Sequence, residues 1–128
     1  MPHHVLLVDD EAHNRKLLRM VLRQGLYTFS EAENGEKALE ILNRDTIDLV
    51  LLDLMMPEVT GFDVVEALRA DERTRETPIM VLTAMNLTEA DKRLLNGRVS
   101  EILSRGSVAS SDIVGLLRRV VAHRNGSK

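Results

Sequence analysis

Short runs of apolar residues, separated by longer stretches with helical spacing, constrain the fold of this chain more than any other feature. Runs of this length that are apolar almost throughout are typical of strands buried on both faces of a sheet. The segment Tyr27–Ser30 alternates instead, which predicts a less buried strand at an edge of the sheet. The continuous runs are His4–Val8, Ile47–Leu52, Ile79–Leu82 and, more weakly, Val99–Leu103.

The stretches between these runs repeat their apolar side chains at helical spacing and carry helix start and stop signals. Gly25 would end the first helix, Asn34–Gly35 would form a turn, and Thr88 with Asp91 resembles a capping box. Strands that alternate with helices in this way predict an α/β fold, a (βα)₅ doubly wound five-stranded parallel sheet with helices on both faces. The helical patterns lie at Leu17–Leu22, Ala38–Leu42, Phe62–Leu68, Thr88–Leu95 and Ile113–Val121.

The composition excludes several classes of protein. With 128 residues, 44% of them hydrophobic and 29% charged, we expect one folded domain over residues 1–124 and a polar tail at 125–128. The chain has no cysteine, which excludes disulfides, zinc fingers and thiol catalysis. A net charge of −3 and few aromatic residues argue against nucleic-acid binding. No apolar stretch approaches the length of a membrane span, so we expect a cytoplasmic protein without a membrane partner.

Polar residues follow the predicted strands at the points where the strands end. Asp9–Asp10 follow the first strand, Asp53 the third, Thr83 the fourth and Ser104–Arg105 the fifth. In a parallel sheet of this kind ligands bind at the carboxyl ends of the strands, so these side chains are expected to converge. Glycine-rich phosphate-binding motifs are missing, and carboxylates repel a phosphate unless a cation lies between them. The pattern predicts a site that gathers a divalent cation and then an anionic group.

Ordinary structural roles are open for the same residues. Asp9–Asp10 could cap the first helix, because acidic side chains favour helix starts. Thr83 could be a strand-end threonine with no role in binding. The basic side chains on the last two helices could form only a solvated face.

Taken together, these residues resemble the receiver domain of two-component response regulators, over essentially the whole chain. The fold of that family is (βα)₅ with strand order 2-1-3-4-5, which agrees with the alternation of strands and helices. The stretch Asn86–Val99 is similar to receivers attached to hybrid sensor kinases. The residues that carry the resemblance, by identity and spacing, are Val8–Glu11, Leu52–Pro57 with Gly61, Thr83–Ala84 and Arg105.

The resemblance implies a metal site and a phosphoacceptor. Asp53 would accept the phosphoryl group. Mg²⁺ or Mn²⁺ would be held by Asp10 directly, by Asp9 through water, by Asp53 itself and by the backbone carbonyl of Met55. The hydroxyl of Thr83 would donate a hydrogen bond to a phosphoryl oxygen.

Three residues depart from the pattern of the family. Arg105 stands where the family has a lysine that pairs with the acyl phosphate, and Gly106 stands where a proline is common. Arginine keeps the charge but is longer and forked, so Arg105 would either grip the phosphoryl group with two hydrogen bonds or extend into solvent. Ile102 stands where many members have a tyrosine or phenylalanine that turns inward when the residue matching Thr83 shifts. Isoleucine has no aromatic ring, so it lacks the group that makes this inward movement in those members.

The implied function is a phosphoacceptor signalling module that takes a phosphoryl group from a histidine kinase and then switches a partner-binding surface. It would not be an enzyme, beyond assisting its own phosphorylation and dephosphorylation. Its partners would be a sensor histidine kinase or phosphotransfer protein, and a downstream protein that binds the Thr88–Leu95 helix, the Val99–Leu103 strand and the Ser111–Ala122 helix. Two alternatives are a phosphorylation-independent adaptor on the same fold and a phosphatase of the haloacid dehalogenase type. The phosphatase class has an Asp-x-Asp motif, whereas Asp9 and Asp10 are adjacent.

Overall fold

The computed structural model describes residues 3–24, 27–84, 86–104, 113 and 115–120. Strands and helices alternate through this part of the chain, as the sequence pattern predicts. The strands are β1 (His4–Val8), β2 (Thr28–Ala32), β3 (Leu49–Leu52), β4 (Ile79–Thr83) and β5 (Glu101–Ser104). The helices are α1 (Ala12–Gln24), α2 (Gly35–Arg44), α3 (Gly61–Ala70) and α4 (Glu89–Leu95), and residues 113 and 115–120 are also helical.

The strands form one parallel sheet in the order β2-β1-β3-β4-β5, which confirms the expected fold and strand order. The order reverses at β1, whose neighbours are β2 on one side and β3 on the other. The carboxyl ends of β1 and β3 are therefore adjacent, and Val8 pairs in register with Leu52. The residues that follow these two strands lie at the edge of the sheet where ligands bind in doubly wound folds.

Alternate side chains of each central strand enter two separate hydrophobic cores, so both faces of the sheet are covered. Leu6 and Val8 belong to the core formed with α2, α3 and Leu95 of α4. Val5 and Leu7 belong to the core formed with α1, Ile113 and Leu117. The last two residues place the helical segment after β5 on the same face as α1. This two-faced burial explains why the central strands are apolar at nearly every position.

Several elements begin later than the apolar runs suggest. The strand predicted at Ile47–Leu52 begins at Leu49, and the one predicted at Tyr27–Ser30 runs over Thr28–Ala32. The strand predicted at Val99–Leu103 is Glu101–Ser104, because the N–H of Val99 donates to the carbonyl of Leu95 at 3.3 Å in the turn that follows α4. Ile47 and Val99 pack against a core without joining the sheet. The sequence pattern does not distinguish an apolar residue that packs in this way from one that pairs in a strand.

Side-chain caps fix the starts of α2, α3 and α4. Thr88 and Asp91 form the capping box that their spacing predicts, so Thr88 caps α4 and the helix itself starts at Glu89. Thr60 forms an equivalent box with Asp63 at α3. Asn34 accepts a hydrogen bond from the N–H of Lys37 at 2.8 Å, so the predicted turn at Asn34–Gly35 is a helix start instead.

Glu58, in the loop between β3 and α3, has a φ of 63°, a left-handed conformation that is unfavourable for a side chain with a Cβ. We predict that Glu58→Gly raises the free energy of unfolding, because relief of about 1–2 kcal/mol of strain exceeds the entropic cost of glycine. Urea denaturation of the parent and the variant measures the change. A Glu58→Gly variant that is less stable than the parent would contradict it.

Candidate functional site

Three carboxylates meet at the carboxyl edge of the sheet. Asp9, Asp10 and Asp53 each offer one oxygen atom, and these oxygens all lie within 4.8 Å of one another. Asp9 and Asp53 are buried, with 1% and 8% of their surface exposed, whereas Asp10 is exposed. Two of the three clustered acids are therefore buried, and the third lies at the protein surface.

Asp9 is held through its backbone and through its side chain. Its N–H donates to the carbonyl of Ala32 in β2 at 3.1 Å, which extends the β1–β2 pairing by one residue. Its Oδ1 accepts a hydrogen bond from the N–H of Glu11 at 2.9 Å. Glu11 comes directly before α1, so this hydrogen bond shapes the turn that leads into the helix. This contact involves one oxygen of a carboxylate that also belongs to the cluster, so the two roles are compatible.

Asp53 follows β3, and β1 fixes its backbone. The N–H of Asp53 donates to the carbonyl of Val8 at 2.9 Å, so the backbone of Asp53 is fixed relative to β1, the strand that leads into Asp9. The N–H of Met55 donates to Asp53 Oδ1 at 3.0 Å, which orients the carboxyl group. The Met55 side chain is exposed, while Leu54 and Met56 on either side of it are buried. The two buried side chains anchor the loop, and the Met55 side chain between them lies at the surface.

Gly61 brings the start of α3 against the backbone of this loop. A Cβ placed on Gly61 would lie 2.5 Å from the Cα of Leu54 and 2.6 Å from the carbonyl oxygen of Asp53. The N–H of Gly61 donates to the carbonyl of Leu54 at 3.3 Å, which closes the loop. Only glycine permits this approach without a shift of the backbone at Asp53.

Thr83 ends β4, the strand next to β3, and is 2% exposed. It pairs in register with Ser104, which the sequence placed just after the fifth strand and which is the last residue of β5. Ala84, directly after Thr83, is exposed. Thr83 therefore lies at the same edge of the sheet as the three carboxylates. Arg105, with its neighbour Gly106, lies outside the described residues.

Residues of α1 and β2 that the sequence pattern does not predict also support this edge. Arg15 Nη1 donates to the carbonyl oxygen of Asp9 at 2.7 Å, and Arg15 Nε donates to Glu31 Oε1 at 3.1 Å. Arg19 Nη1 lies 2.6 Å from the other oxygen of Glu31. The spacing of Arg15 from Asp9 in the sequence does not show that α1 turns the side chain back onto β1.

Comparison with known proteins agrees with this geometry. The family described as "Response regulator receiver domain" matches residues 5–115, which is most of the chain. The chain therefore belongs to the response regulator receiver family.

Individual relatives cover nearly the same length. The two-component response regulator ORR3 of rice, Oryza sativa subsp. indica, is 30% identical over 119 residues, which are 92% of this chain and 90% of that protein. The polar-differentiation response regulator DivK of Brucella anthropi is 30% identical over 105 residues, 82% of this chain and 85% of that protein. The structure of the chemotaxis protein CheY4 of Vibrio cholerae superposes with a TM-score of 0.84 at 26% identity, over 94% of this chain and 99% of that one.

Over the part of the chain that the structure describes, no helix has the length and apolar character needed to cross a bilayer.

Proposed function

We propose that this chain accepts a phosphoryl group from a phosphohistidine onto Asp53, in a reaction that depends on a divalent cation. The observation that carries the proposal is the cluster of Asp9, Asp10 and Asp53 at the carboxyl edge of the sheet, in a chain of the receiver family. We further propose that residues 1–124 form the receiver domain and that 125–128 are a polar tail.

The donor set fits Mg²⁺ or Mn²⁺, which prefer oxygen ligands and retain several waters. Asp10 and Asp53 would bind the ion directly, Asp9 through water, and the carbonyl of Met55 would add a neutral oxygen. When bound, the ion would offset the negative charge of the carboxylates and of the incoming phosphoryl group. The three carboxylates are within reach of a single ion, since one oxygen of each lies within 4.8 Å of the others.

The chemistry requires positioning and charge stabilisation more than covalent assistance. A carboxylate oxygen of Asp53 attacks the phosphorus atom of the phosphohistidine in line. The new P–O bond forms as the P–N bond breaks, and the departing imidazole takes a proton from solvent. The hydrogen bond from Met55 N–H to Oδ1 keeps the Asp53 carboxyl group in a fixed orientation for this attack. Thr83 and Arg105 would stabilise the oxygens of the transferring group.

Intact mass after incubation with acetyl phosphate and Mg²⁺ tests this proposal. We expect one phosphoryl adduct on the parent, none without the cation and none on Asp53→Asn. The control is Asp45→Asn, which makes the same chemical change at the end of α2, before β3 begins. Full labelling of Asp53→Asn would contradict the assignment. No labelling of the parent would favour the phosphorylation-independent adaptor, and rapid turnover of acetyl phosphate without an adduct would favour a phosphatase.

Arg105 is expected to contact the phosphoryl group, because its charge stands at the position of the lysine of the family. We predict that Arg105→Ala lowers the affinity for beryllofluoride at fixed Mg²⁺ by about tenfold or more, the loss of one charge-assisted hydrogen bond. Arg105→Lys should remain close to the parent. Equal affinity of the parent and Arg105→Ala would show that the arginine points to solvent instead.

The surface formed by α4 and β5 is the proposed contact for a downstream protein, together with the helix expected at Ser111–Ala122. Leu94 and Ile102 are large apolar residues with 54% and 39% of their surface exposed. Lys92 and Arg93 are exposed on α4 beside them. A sensor histidine kinase or a phosphotransfer protein would be the upstream partner. The chain itself would be a signalling phosphoacceptor and not an enzyme with a separate substrate.

A further inference from the structure

Arg15 connects the backbone of the carboxylate cluster to the edge strand β2. Its Nη1 donates to the carbonyl oxygen of Asp9 at 2.7 Å, and its Nε donates to Glu31 Oε1 at 3.1 Å. The side chains of Arg15 and Glu31 are only 16% and 25% exposed. A guanidinium that is bound at two sides and largely shielded from water has little freedom to leave the Asp9 carbonyl.

The carbonyl that Arg15 holds lies directly before Asp10 in the chain. It belongs to the peptide group that joins Asp9 to Asp10, and because a peptide group is planar, fixing its oxygen fixes the direction in which the chain enters Asp10. The N–H of Asp9 is held on the other side by the carbonyl of Ala32 at 3.1 Å. Asp10 is exposed, so its position depends strongly on the backbone that leads into it.

We propose that Arg15 is a positioning residue for the metal site: by holding the Asp9 carbonyl, it keeps the Asp10 carboxylate close to those of Asp9 and Asp53. This inference rests on the proposed function and extends it to a residue that touches neither the cation nor the phosphoryl group. Glu31 offsets the charge of the guanidinium, so the contribution is chiefly geometric. Arginine suits the task because its fork presents donors in fixed directions, whereas the ammonium group of lysine does not.

Arg19 provides a matched control on the same helix. It lies one turn after Arg15 in α1, and its Nη1 donates to the other oxygen of Glu31 at 2.6 Å. Removing Arg19 therefore also removes an ion pair with Glu31. It changes the net charge by the same amount as removing Arg15. The contact with the Asp9 carbonyl belongs to Arg15 and remains in the Arg19 variant.

Titration calorimetry with Mg²⁺ on the full chain tests the proposal. We expect Arg15→Ala to raise the Kd for Mg²⁺ about tenfold, the size of effect seen when supporting contacts of metal ligands are lost. Arg19→Ala should stay within about twofold of the parent, and Arg15→Lys should fall between the two. All titrations are run well below the lowest melting temperature of the set, so that loss of folded protein does not lower the apparent affinity.

A second measurement separates positioning from a general effect on stability. In metal-free protein, the ¹³C chemical shift of the Asp9 carbonyl should change in Arg15→Ala and stay near the parent value in Arg19→Ala. If Arg15→Ala does not fold, Arg15→Lys is compared with Arg19→Ala by the same two measurements. Equal Mg²⁺ affinity of the Arg15 and Arg19 variants, whether both unchanged or both weakened, would overturn the proposal.

The outcome also distinguishes this inference from the proposed function. Arg15→Ala should still be labelled by acetyl phosphate at saturating Mg²⁺, because the hydrogen bonds that it loses go to Glu31 and to the Asp9 carbonyl. A parent that binds Mg²⁺ and is labelled, together with an Arg15→Ala variant of parental affinity, would overturn only the positioning role. A parent that neither binds Mg²⁺ nor accepts label would overturn both.

Discussion

Replacing Gly61 with alanine is expected to lower the free energy of unfolding by about 3 kcal/mol, the upper end of the range for overpacked cores. The new Cβ would lie 2.5 Å from the Cα of Leu54 and 2.6 Å from the carbonyl oxygen of Asp53. Both neighbours are backbone atoms, so the strain cannot be relieved by rotating a side chain. Urea denaturation followed by circular dichroism measures the loss.

Gly115 offers a matched control for this substitution. It is exposed within the helical segment 115–120, and a Cβ placed there would meet nothing within 4 Å. Gly115→Ala should therefore raise the free energy of unfolding by about 0.5–1 kcal/mol, because alanine loses less conformational entropy than glycine in a helix. If Gly61→Ala matched Gly115→Ala, the close approach of α3 to the Asp53 loop would be wrong.

Gly61→Ala should disturb the candidate site as well as the fold. Asp53 and Leu54 must move away from α3 to admit the extra methyl group, and Asp53 is one of the three clustered acids. We expect the folded fraction of Gly61→Ala to bind Mg²⁺ more weakly than the parent. Gly115→Ala should keep the parental affinity.

Asp10→Asn is expected to stabilise the metal-free protein and to weaken Mg²⁺ binding. Three carboxylates within 4.8 Å of one another repel, and each pair costs about 1–2 kcal/mol at the effective dielectric of a partly exposed site. Removing the Asp10 charge relieves two such pairs, so the melting temperature should rise by about 6–16 °C at low salt. The Kd for Mg²⁺ should rise at least tenfold, roughly the loss expected even for outer-shell partners.

Two further measurements show whether repulsion is the cause. Added salt screens exposed charges, so the difference in melting temperature between Asp10→Asn and the parent should shrink as ionic strength rises. Glu66→Gln removes a charge from the exposed face of α3, and its melting temperature should stay near that of the parent. An Asp10→Asn variant that melts below the metal-free parent at low salt would show that the three acids do not destabilise one another.

The gain in stability and the loss of binding would have the same origin. A site that must attract a divalent cation keeps acidic groups close together at a cost to the unliganded fold, a trade-off common at functional sites. Burial of Asp9 and Asp53 increases that cost, because the protein screens charges less well than water. The hydrogen bonds from Glu11 N–H and Met55 N–H offset part of it.

The fold was predictable because its main determinant is local. Strands covered on both faces must be apolar at consecutive positions, and the central strand β3, Leu49–Leu52, has that composition. Helix starts were predictable where a cap requires particular side chains, as at Thr88 and Asp91. The starts of the strands were harder to predict, because Ile47 and Val99 are apolar residues that pack against the core and do not pair with a neighbouring strand.

The members of the candidate site could be identified in advance because parallel strands end at one edge of the sheet. The strand assignment and the family resemblance were enough to predict that Asp9, Asp10 and Asp53 belong to the site. Arg15 and Glu31 could not be identified in this way, because their contact depends on how α1 packs beside β2. Gly61 was recognised as part of the family pattern, but the physical reason for a glycine there, the approach of α3 to Leu54, required coordinates.

Identification of the labelled residue tests the central claim most directly. The protein is incubated with acetyl phosphate and Mg²⁺, and borohydride then reduces any acyl phosphate to the corresponding alcohol. Peptide mass spectrometry should find homoserine at position 53 in place of aspartate, only in samples that contained both the phosphoryl donor and the cation. Homoserine at Asp9, at Asp10 or at an acid elsewhere in the chain, with Asp53 unmodified, would contradict the account.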